Sequence, residues 1–556
     1  MKKRWVIAAA DAAVAQRFAL ELNLPVALAS VLVNRGYRDT ETVQRFLNPQ
    51  LRQLRDPFEL PDMKAAVERI LTGITRGERI VIYGDYDVDG VTSSALLTRV
   101  LRVGGADVAN FLPHRMDEGY GLSADGIARC LKEHRPQLLI AVDCGTSSAA
   151  EIAGLKRDGV DVIVLDHHEP PAELPACLLV NPKRGGDGKY LASVGLAFKL
   201  AHALLKSNRD WKVDLREHLD LVAVGTIADM VPLVEENRIL VKAGLERLPA
   251  TGKVGLRALM DVAKVHGEVN PYHIWFRIGP RLNAAGRLSD AMAALELLLT
   301  EDAGRAAELA KQLEAHNAER QQIEAGVVEE ALEEGRTFTE DRVLVLENPA
   351  WHVGVIGIAA SKVLQQYYRP TVIIGEGGKG SCRSVTGFSM VAGLTECGQW
   401  LERFGGHEMA AGLTVKPGKV AELRRELNTV AARVMREEDR LPVVRVDAEV
   451  GLGDLDFEFI EALKKFEPCG QENPSPVFAV RGVKLKGAAR LVGKNHWKFN
   501  VTDGETTVGV IWFGAGEEEL TPGEMDVAFV PEWNEFRGEG AVQLRVRDVV
   551  SSKKNQ

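Results

Sequence analysis

Carboxylates occupy every second position in a short segment that follows an apolar run. The run, residues 80–83, leads into Gly84, and the carboxylates follow at Asp85, Asp87 and Asp89. Carboxylates held this close repel one another, and burying them without a partner costs several kcal/mol each. A divalent cation removes that cost, so the segment indicates a metal site. A solvated acidic turn is the simpler interpretation of the motif taken alone.

Further polar groups follow the next apolar runs. Asp143 comes after residues 138–142, Asp229 comes after a helical pattern, and the triplet Asp166, His167 and His168 comes after residues 162–165. The carboxyl ends of parallel strands meet at one edge of a sheet, so we expect these groups to converge with the acidic segment. On their own, the two histidines could equally be one surface and one core residue.

The expected ligand set favours Mn²⁺ or Mg²⁺. Aspartate oxygens with one or two imidazoles lie between the all-oxygen sites of Mg²⁺ and the nitrogen-rich sites of Zn²⁺. Two such ions can activate a water and stabilise the leaving oxygen of a phosphoryl displacement. A calcium EF-hand loop is a poor match, because the Glu it needs six residues after Gly90 is replaced by Leu96, and a strand precedes the segment.

The elements that position these residues can be read from the periodicity. Between residues 65 and 240, short β-branched runs alternate with helical patterns, which indicates an α/β fold with a mostly parallel sheet. Residues 301–335 lack Pro and are rich in charged helix formers, which predicts a long exposed helix. A second α/β rhythm follows, and short strands with turn signals after residue 441 predict a small β-barrel.

These patterns divide the chain into five predicted segments. They are an N-terminal helical extension (1–60), a parallel-sheet catalytic domain (61–300), a linking helix (301–338), a second α/β domain (339–440) and a barrel domain (441–556).

Composition limits the class of protein. The 556 residues are 46% hydrophobic and 26% charged, as in ordinary globular proteins, and the net charge of -9 means that any polyanion must meet a local basic patch. The six cysteines form no Cys-x-x-Cys pair, so we expect neither a zinc ribbon nor disulfides, and a cytoplasmic location. The apolar stretch before Asp11 is too short for a secretory signal, and we expect no membrane helix.

Several arginines could contact phosphate. They lie beside glycines or turn residues, where a guanidinium can reach into a cleft: Arg115, Arg281, Arg287 and Arg383. Each could also be a surface ion pair. Residues 377–384 combine glycines with hydroxyls and cations, including Ser381, and this composition suits anion binding. The segment lacks the spacing of a Walker loop, so we do not expect ATP hydrolysis.

The predicted barrel contains a basic stretch. Residues 481–498 carry six basic side chains and no acidic one: Arg481, Lys484, Lys486, Arg490, Lys494 and Lys498. His496, Trp497 and Phe499 interleave with them. Cations that contact phosphates beside aromatics that stack on bases are typical of single-strand binding. An alternating strand with a core aromatic would look similar.

These motifs carry a family resemblance. The acidic segment, Asp143, the Asp166-His167-His168 triplet and Asp229 resemble the four motifs of the DHH phosphoesterase superfamily. Residues 111–115, 118–122, 279–287 and 405–407 are similar to motifs of the RecJ single-strand-specific exonucleases in that superfamily. The resemblance covers nearly the whole chain.

The resemblance implies roles for individual residues. It assigns metal binding to Asp87, Asp89, Asp143, His167 and Asp229. Asp143 would bridge two ions, Asp85 would support the cluster or join the first ion, and His168 would face the scissile phosphate. In the family the second domain, named DHHA1, supplies a pocket for the 5′ end, matched here by Ser381 and Arg383.

Other implications concern the substrate and the setting. His407 belongs to the DHHA1 signature, as a cleft ligand or a buried structural residue, and the barrel would be an OB-fold in which Trp497 contacts DNA. The implied activity is a metal-dependent 5′-to-3′ exonuclease that degrades single-stranded DNA to mononucleotides in repair and recombination. A helicase and a single-strand-binding protein are the implied partners, and we expect a monomer.

Two other functions remain open at this point. DHH phosphodiesterases that act on short oligoribonucleotides or cyclic dinucleotides share the first two domains, but they need neither the appended barrel nor the N-terminal extension. A catalytically silent scaffold is the other alternative. Loss of metal ligands should mark such a scaffold, and here the full set is present.

Overall fold

The computed structural model describes residues 2–114, 118–119, 121–185, 189–288, 290–518, 520, 523–534 and 540–552. The chain forms two compact units, a central one from Leu51 to Arg440 and a terminal one that combines Met1–Gln50 with Leu441–Gln556. Within the described ranges, no helix is both long enough and apolar enough to cross a bilayer. The chain begins with one strand and three helices: β1 (Arg4–Ile7), α1 (Ala12–Leu22), α2 (Val26–Asn34) and α3 (Thr40–Leu47).

The first domain of the central unit contains a parallel sheet of five strands. They are β2 (Arg79–Gly84), β3 (Asp107–Phe111), β4 (Leu138–Val142), β5 (Asp161–Leu165) and β6 (Leu178–Val180), in the order β3-β2-β4-β5-β6. Five helices accompany them: α4 (Met63–Thr75), α5 (Val88–Val103), α6 (Ala124–His134), α7 (Ala149–Arg157) and α8 (Ser193–Ser207). In β4, Leu138 and Ile140 join one core while Leu139 and Ala141 join another, so helices cover both faces.

Six further helices complete this domain. They are α9 (Leu219–Ala228), α10 (Glu235–Arg247), α11 (Val254–Val262), α12 (Pro271–His273), α13 (Gly279–Leu288) and α14 (Met292–Leu299). A π-helical turn, Ile274–Ile278, joins α12 to α13. The indole N–H of Trp275 in this turn donates to the carbonyl of Ile227 at 2.7 Å, which fixes the start of α13 against the end of α9.

The linking helix, α15 (Ala303–Gly335), is 33 residues long, or about 50 Å at 1.5 Å per residue. Its first half contributes Leu309 and Leu313 to the core of the first domain. Its second half contributes Val327 and Ala331 to a core shared with the second domain. The helix therefore packs against both domains of the central unit.

The prediction that this helix is exposed holds for part of its surface only, because one face is buried. Asn317, Arg320 and Glu324 are buried despite their polarity, because they satisfy one another: Arg320 donates to Asn317 at 3.0 Å and forms an ion pair with Glu324. Lys362 adds a second cation to Glu324 at 2.6 Å. The polar composition of the helix therefore gave no indication of its buried face.

The second domain has a mixed sheet in the order β10-β11-β9-β8-β7, in which only the β7–β8 pair is parallel. Its strands are β7 (Leu344–Glu347), β8 (Thr371–Ile374), β9 (Lys379–Arg383), β10 (Leu401–Gly406) and β11 (Ala410–Val415). Its helices are α16 (Ile356–Tyr367), α17 (Met390–Glu396) and α18 (Val420–Val434). The register pairs Gly412 with Ser381 on one side and with Gly405 on the other.

The terminal unit contains the barrel. Its elements are β12 (Val443–Val446), β13 (Ala448–Glu449), α19 (Phe457–Lys464), β14 (Phe478–Val492), β15 (His496–Thr502), β16 (Thr507–Trp512), β17 (Glu524–Asn534) and β18 (Ala541–Ser551). Strand β14 pairs with both β15 and β17, and β16 pairs with β18, so the five strands β14–β18 close into a ring. This confirms the predicted five-stranded barrel.

The N-terminal helices belong to the same unit. Leu28 and Leu32 of α2 share one core with Phe459 and Phe478 of the barrel domain, and β1 pairs in parallel with β12. Short helices with an apolar face cannot bury it alone, and here the barrel domain covers it. The segment predicted as an extension therefore joins the C-terminal part of the chain as far as Gln50.

Candidate metal centre

The acidic segment lies where β2 turns into α5. Asp87 caps α5, since its Oδ1 accepts the backbone N–H groups of Asp89 at 2.9 Å and Gly90 at 3.2 Å. A Cβ on Gly90 would collide with the backbone of Asp85, so only glycine lets the helix begin this close to the strand end. The tight turn holds all three carboxylates at the carboxyl edge of the sheet.

A helix N-terminus and a strained turn hold two of the carboxylates in place. Asp89 accepts the backbone N–H groups of Ser193 at 2.7 Å and Val194 at 2.8 Å, at the start of α8, where the helix dipole favours negative charge. Asp143 follows β4 with φ of 63°, in the left-handed region that Asp tolerates better than most residues. The hydroxyl of Ser193 donates to Asp143 at 3.0 Å.

His167 joins the carboxylates as a neutral base. Its Nε2 lies 3.4 Å from Oδ1 of Asp143 and 3.4 Å from Oδ2 of Asp229, which caps the end of α9. Burial lowers the pKa of His167 to about 3, so the imidazole is unprotonated. Among the described residues Nε2 makes no hydrogen bond. A buried imidazole nitrogen without a hydrogen-bond partner fits a metal ligand.

The candidate ligands form three overlapping groups. In each group the ligand atoms lie within 4.8 Å of one another: Asp85, Asp87 and Asp143; Asp89, His167 and Asp229; Asp143, His167 and His168. Asp143 and His167 each belong to two groups. The structure thus brings together all the residues for which the sequence predicted a metal or catalytic role.

The electrostatics of the cluster favour the binding of cations. Burial, and then the charge of Asp87, raise the pKa of Asp89 to about 7. Burial, and then the charges of Asp87 and Asp89, hold the pKa of Asp143 well above its ordinary value, and burial followed by Asp89 does the same for the pKa of Asp229. Full ionisation of these groups needs compensating positive charge, and carboxylate oxygens with imidazole nitrogen suit Mn²⁺ or Mg²⁺.

His168 is oriented by Asp166. Oδ1 of Asp166 lies 2.6 Å from Nδ1 of His168 and accepts the backbone N–H of His167 at 2.8 Å, while Oδ2 accepts the N–H of Thr146 at 3.0 Å. Burial by itself lowers the pKa of His168, but the hydrogen bond and charge of Asp166 outweigh it and raise the pKa. The His168 side chain is 46% exposed, so it is accessible from outside the core.

A cationic cavity of about 590 Å³ lies in the central unit, at the second domain. Its lining includes four cationic side chains and a hydroxyl: Arg287, Lys379, Arg383, Arg403 and Ser381. Arg383 lies 3.3 Å from the hydroxyl of Ser381, and burial lowers the pKa of Arg383. Gly405 and Gly412 line the same cavity and leave it open beside Ser381. The lining combines cations, a hydroxyl and glycines, the composition for which residues 377–384 predicted anion binding.

The other predicted arginines differ in their surroundings. Arg281 forms an ion pair with Glu314 of α15 and donates to the carbonyl of Arg277 at 2.6 Å, which matches the ion-pair alternative. Arg287 donates to the carbonyl of Gly354 at 3.0 Å, so it joins α13 to the second domain at the rim of the cavity. Arg115 lies outside the described residues.

Two predicted contacts outside the cavity have different environments. His407 is exposed in the β10–β11 hairpin, so it is not a buried structural histidine. Trp497 is half-buried against the barrel core, and its indole N–H donates to the carbonyl of Glu518 at 3.1 Å. That arrangement corresponds to the core-aromatic alternative. Phe513 is the more accessible ring, at 53% exposure, and packs edge-on to His496.

Sequence reasoning missed Ser193 and Val194, whose backbone N–H groups hold Asp89. A helix N-terminus that meets its carboxylate a hundred residues away leaves no local pattern. Reasoning also counted Arg481 in the basic stretch, although it pairs with Glu449 at 2.6 Å and Asp526 at 2.7 Å.

Comparison with known proteins identifies the family. Three family models match in sequence order: the DHH family N-terminal domain over residues 79–226, the DHHA1 domain over 340–433 and the RecJ OB domain over 446–548. The single-stranded-DNA-specific exonuclease RecJ of Bacillus subtilis (strain 168) is 39% identical over 99% of this chain and 71% of its own length. The chain belongs to the RecJ family. The RecJ of Dickeya dadantii (strain 3937) is 36% identical, over 94% of this chain and 96% of its own length.

Comparison with solved structures supports the same family. RecJ from Thermus thermophilus in complex with Mn²⁺ matches with a TM-score of 0.87 and 33% identity, over 99% of this chain and 79% of that one. This confirms the predicted RecJ fold, with its DHH sheet, linking helix, DHHA1 domain and OB barrel. The DHH match includes every residue of the candidate centre except Asp229, which lies just beyond its end.

Proposed function

We propose that this RecJ-family protein is a metal-dependent exonuclease that degrades single-stranded DNA from its 5′ end to mononucleotides. The observation that carries the proposal is the overlap of the three ligand groups at Asp143 and His167. Such an overlap suits two adjacent cations, the arrangement that phosphodiester hydrolysis uses. The cationic cavity of the second domain supplies a separate place for a terminal phosphate.

The ligand groups suggest how two ions would be held. Asp85, Asp87 and Asp143 would take one ion, and Asp89, His167 and Asp229 the other, with Asp143 between them. Bound Mn²⁺ or Mg²⁺ would make a water nucleophilic and stabilise negative charge on the phosphoryl group. The protein holds both carboxylate sets before any ion arrives, through the caps of α5 and α8.

His168 would act on the substrate. Asp166 engages Nδ1 and raises the His168 pKa, so Nε2–H would be directed at the scissile phosphate. In the reaction, water oxygen bonds to phosphorus, the bond from phosphorus to the 3′ oxygen of the terminal nucleotide breaks, and that oxygen takes a proton. The products are a nucleoside 5′-monophosphate and a strand with a new 5′ phosphate.

The cationic cavity would give the enzyme its 5′-to-3′ direction of cleavage. Ser381, Arg383 and Arg287 would bind the 5′-terminal phosphate, since guanidinium groups and a hydroxyl match its oxygens. Glycines at 405 and 412 leave space for the phosphate to enter. A strand anchored there presents its first phosphodiester to the metal centre, so cleavage proceeds from the 5′ end.

The proposal also covers the role of the OB barrel, the biological process and the partners. We propose that the OB barrel holds longer strands, with Trp497 or the more accessible Phe513 as the stacking ring. Roles in repair and recombination, a cytoplasmic location, a monomeric state and cooperation with a helicase and a single-strand-binding protein are suggested by the family. The match to the RecJ OB domain disfavours a phosphodiesterase of short oligoribonucleotides or cyclic dinucleotides.

Digestion of end-labelled DNA tests the proposal. Single and double strands labelled at the 5′ or 3′ end are incubated with Mn²⁺, Mg²⁺ or a chelator. A 5′-labelled single strand should release labelled mononucleotide from the first turnover, and a 3′-labelled one should shorten stepwise. Duplex DNA should remain uncleaved, and so should single strands incubated with the chelator. Early release of a labelled mononucleotide from the 3′-labelled strand would contradict the assigned polarity.

A further inference from the structure

A second cavity, of about 500 Å³, lies beside the metal centre. His167 forms part of its wall. The wall also includes an aromatic ring, two ammonium groups, a carboxylate and apolar side chains: Tyr190, Lys183, Lys189, Glu169, Val231 and Pro232. Nothing in the proposed mechanism uses these residues other than His167. The volume falls within the ~300 to 1,000 Å³ typical of small-ligand sites.

A buried side chain builds this cavity. Asn237 of α10 is 1% exposed and donates its amide hydrogens to the carbonyl of Tyr190 and, at 3.0 Å, to that of Pro232. One amide therefore fixes two walls of the cavity. Lys189 Nζ lies 4.9 Å from the centre of the Tyr190 ring, and Lys183 pairs with Glu169 at 2.9 Å. The combination of ring, cations and apolar wall matches the base, phosphate and sugar of one nucleotide.

Different residues connect the two cavities to the metal centre. The cationic cavity is lined by Arg287, and the preceding Gly286 is so close to the acidic segment that a Cβ there would lie 2.9 Å from the carbonyl oxygen of Tyr86. The second cavity adjoins His167. Among the described residues, none lines both cavities. A strand anchored in the first and cleaved at the metal centre would continue into the second.

We propose that the second cavity is a subsite for the second nucleotide of the strand, the one on the 3′ side of the bond that is cleaved. Its base stacks on Tyr190, and Lys183 and Lys189 face its phosphates. This inference rests on the proposed exonuclease function. After each cut the second nucleotide carries the new 5′ phosphate and must move to the first cavity, so the subsite holds the remaining strand between successive cuts.

Abasic substrates test this subsite. Single strands with a 5′ phosphate carry one abasic residue at position 2 or at position 6, and kcat/KM for release of the first nucleotide is measured. Loss of one stacked base should lower the wild-type value by about 10-fold at position 2. Tyr190→Ala should lower the value on the intact strand by a similar factor and be insensitive to the abasic residue at position 2. Position 6 should affect both proteins equally.

Two matched variants separate stacking from folding. Tyr190→Phe keeps the ring and should behave as wild type. Tyr190→Leu fills the wall without a π face, so it should fold normally and still lose sensitivity at position 2. The subsite is refuted if the losses from Tyr190→Leu and the abasic residue multiply. If the wild type releases no 5′ mononucleotide at all, the proposed function fails instead, so the two failures are distinguishable.

Discussion

Replacing Asp143 by Asn should reverse the order of stability between the metal-free and metal-bound protein. Asn is the informative substitution because it keeps the shape of Asp and tolerates the positive φ of 63° at this position, whereas Ala would add strain of about 1–2 kcal/mol. The change removes one charge from the cluster and one ligand from two of its groups.

The magnitude follows from the spacing of the carboxylates. Ligand atoms of Asp85, Asp87 and Asp143 lie within 4.8 Å of one another. At that distance and an effective dielectric of about 20, each ionised pair costs about 3.5 kcal/mol, which protonation relieves only in part. We therefore expect Asp143→Asn to stabilise the metal-free protein by about 1–3 kcal/mol. For a unit of this size that corresponds to roughly 1–4 °C in Tm.

Cations should invert this order. Two ions, each at a hundred times its Kd, stabilise the folded protein by about 5.4 kcal/mol in total, and a variant that lacks the shared ligand loses most of that gain, which exceeds its advantage without metal. Thermal unfolding is measured at pH 8 in chelator and in Mn²⁺. Asp161→Asn is the control, because Asp161 is exposed at the opposite end of the sheet, where it pairs with Arg69. It should leave the Mn²⁺ gain unchanged.

Either of two results would contradict this prediction. A metal-free Asp143→Asn protein less stable than wild type would show that the carboxylates do not repel as their spacing requires. An undiminished gain from Mn²⁺ would show that Asp143 is not a ligand. The variant should also lose at least 100-fold in nuclease activity, since no neighbouring side chain replaces a shared ligand.

Three other outcomes are expected. Asp166→Ala should destabilise the protein by about 2–4 kcal/mol in urea unfolding, because the N–H groups of Thr146 and His167 lose their acceptor, and should lower kcat through His168. Arg383→Ala should reduce kcat/KM more for 5′-phosphorylated than for 5′-hydroxyl strands; equal losses would place its role elsewhere. The fragment Leu51–Arg440 should cleave short oligonucleotides but show a raised KM on long strands, with a log–log salt slope flatter by about 0.7 for each phosphate that the fragment no longer binds.

That fragment begins at Leu51 for a structural reason. Truncation after residue 440 alone would leave Leu28 and Leu32 of α2 without the barrel residues that cover them. Removal of both parts of the terminal unit takes away a complete core instead of exposing half of one. An unchanged salt slope in the folded fragment would show that the barrel does not contact phosphates.

The metal centre was predictable because its signals are local. Short apolar runs mark buried parallel strands, and parallel strands end at one edge, so Asp85, Asp143 and His167 had to converge. The partners that hold them were not predictable in this way. Ser193 and Val194 reach Asp89 only because α8 packs beside α5, and an ordinary helix start carries no sign of that.

The terminal unit contains contacts that the sequence could not predict. Turn signals and alternation located the barrel strands, but nothing local indicates that Trp5 donates to Asp548, 543 residues away, at 2.7 Å. Alternation also cannot tell which side of a barrel strand is covered. Trp497 fits the stacking pattern of the sequence, but the sequence alone does not show that its half-buried ring packs partly against the core.

Helix α13 connects these observations to the size of the product. Two consecutive residues of α13 contact different domains: Gly286 lies against the backbone of Tyr86 in the acidic segment, and Arg287 donates to the carbonyl of Gly354 in the second domain. The end of α13 therefore links the acidic segment to the wall of the cationic cavity. The proposed release of mononucleotides requires that one nucleotide fit between that cavity and the metal centre, and α13, which contacts both sides, is the element that would set this spacing.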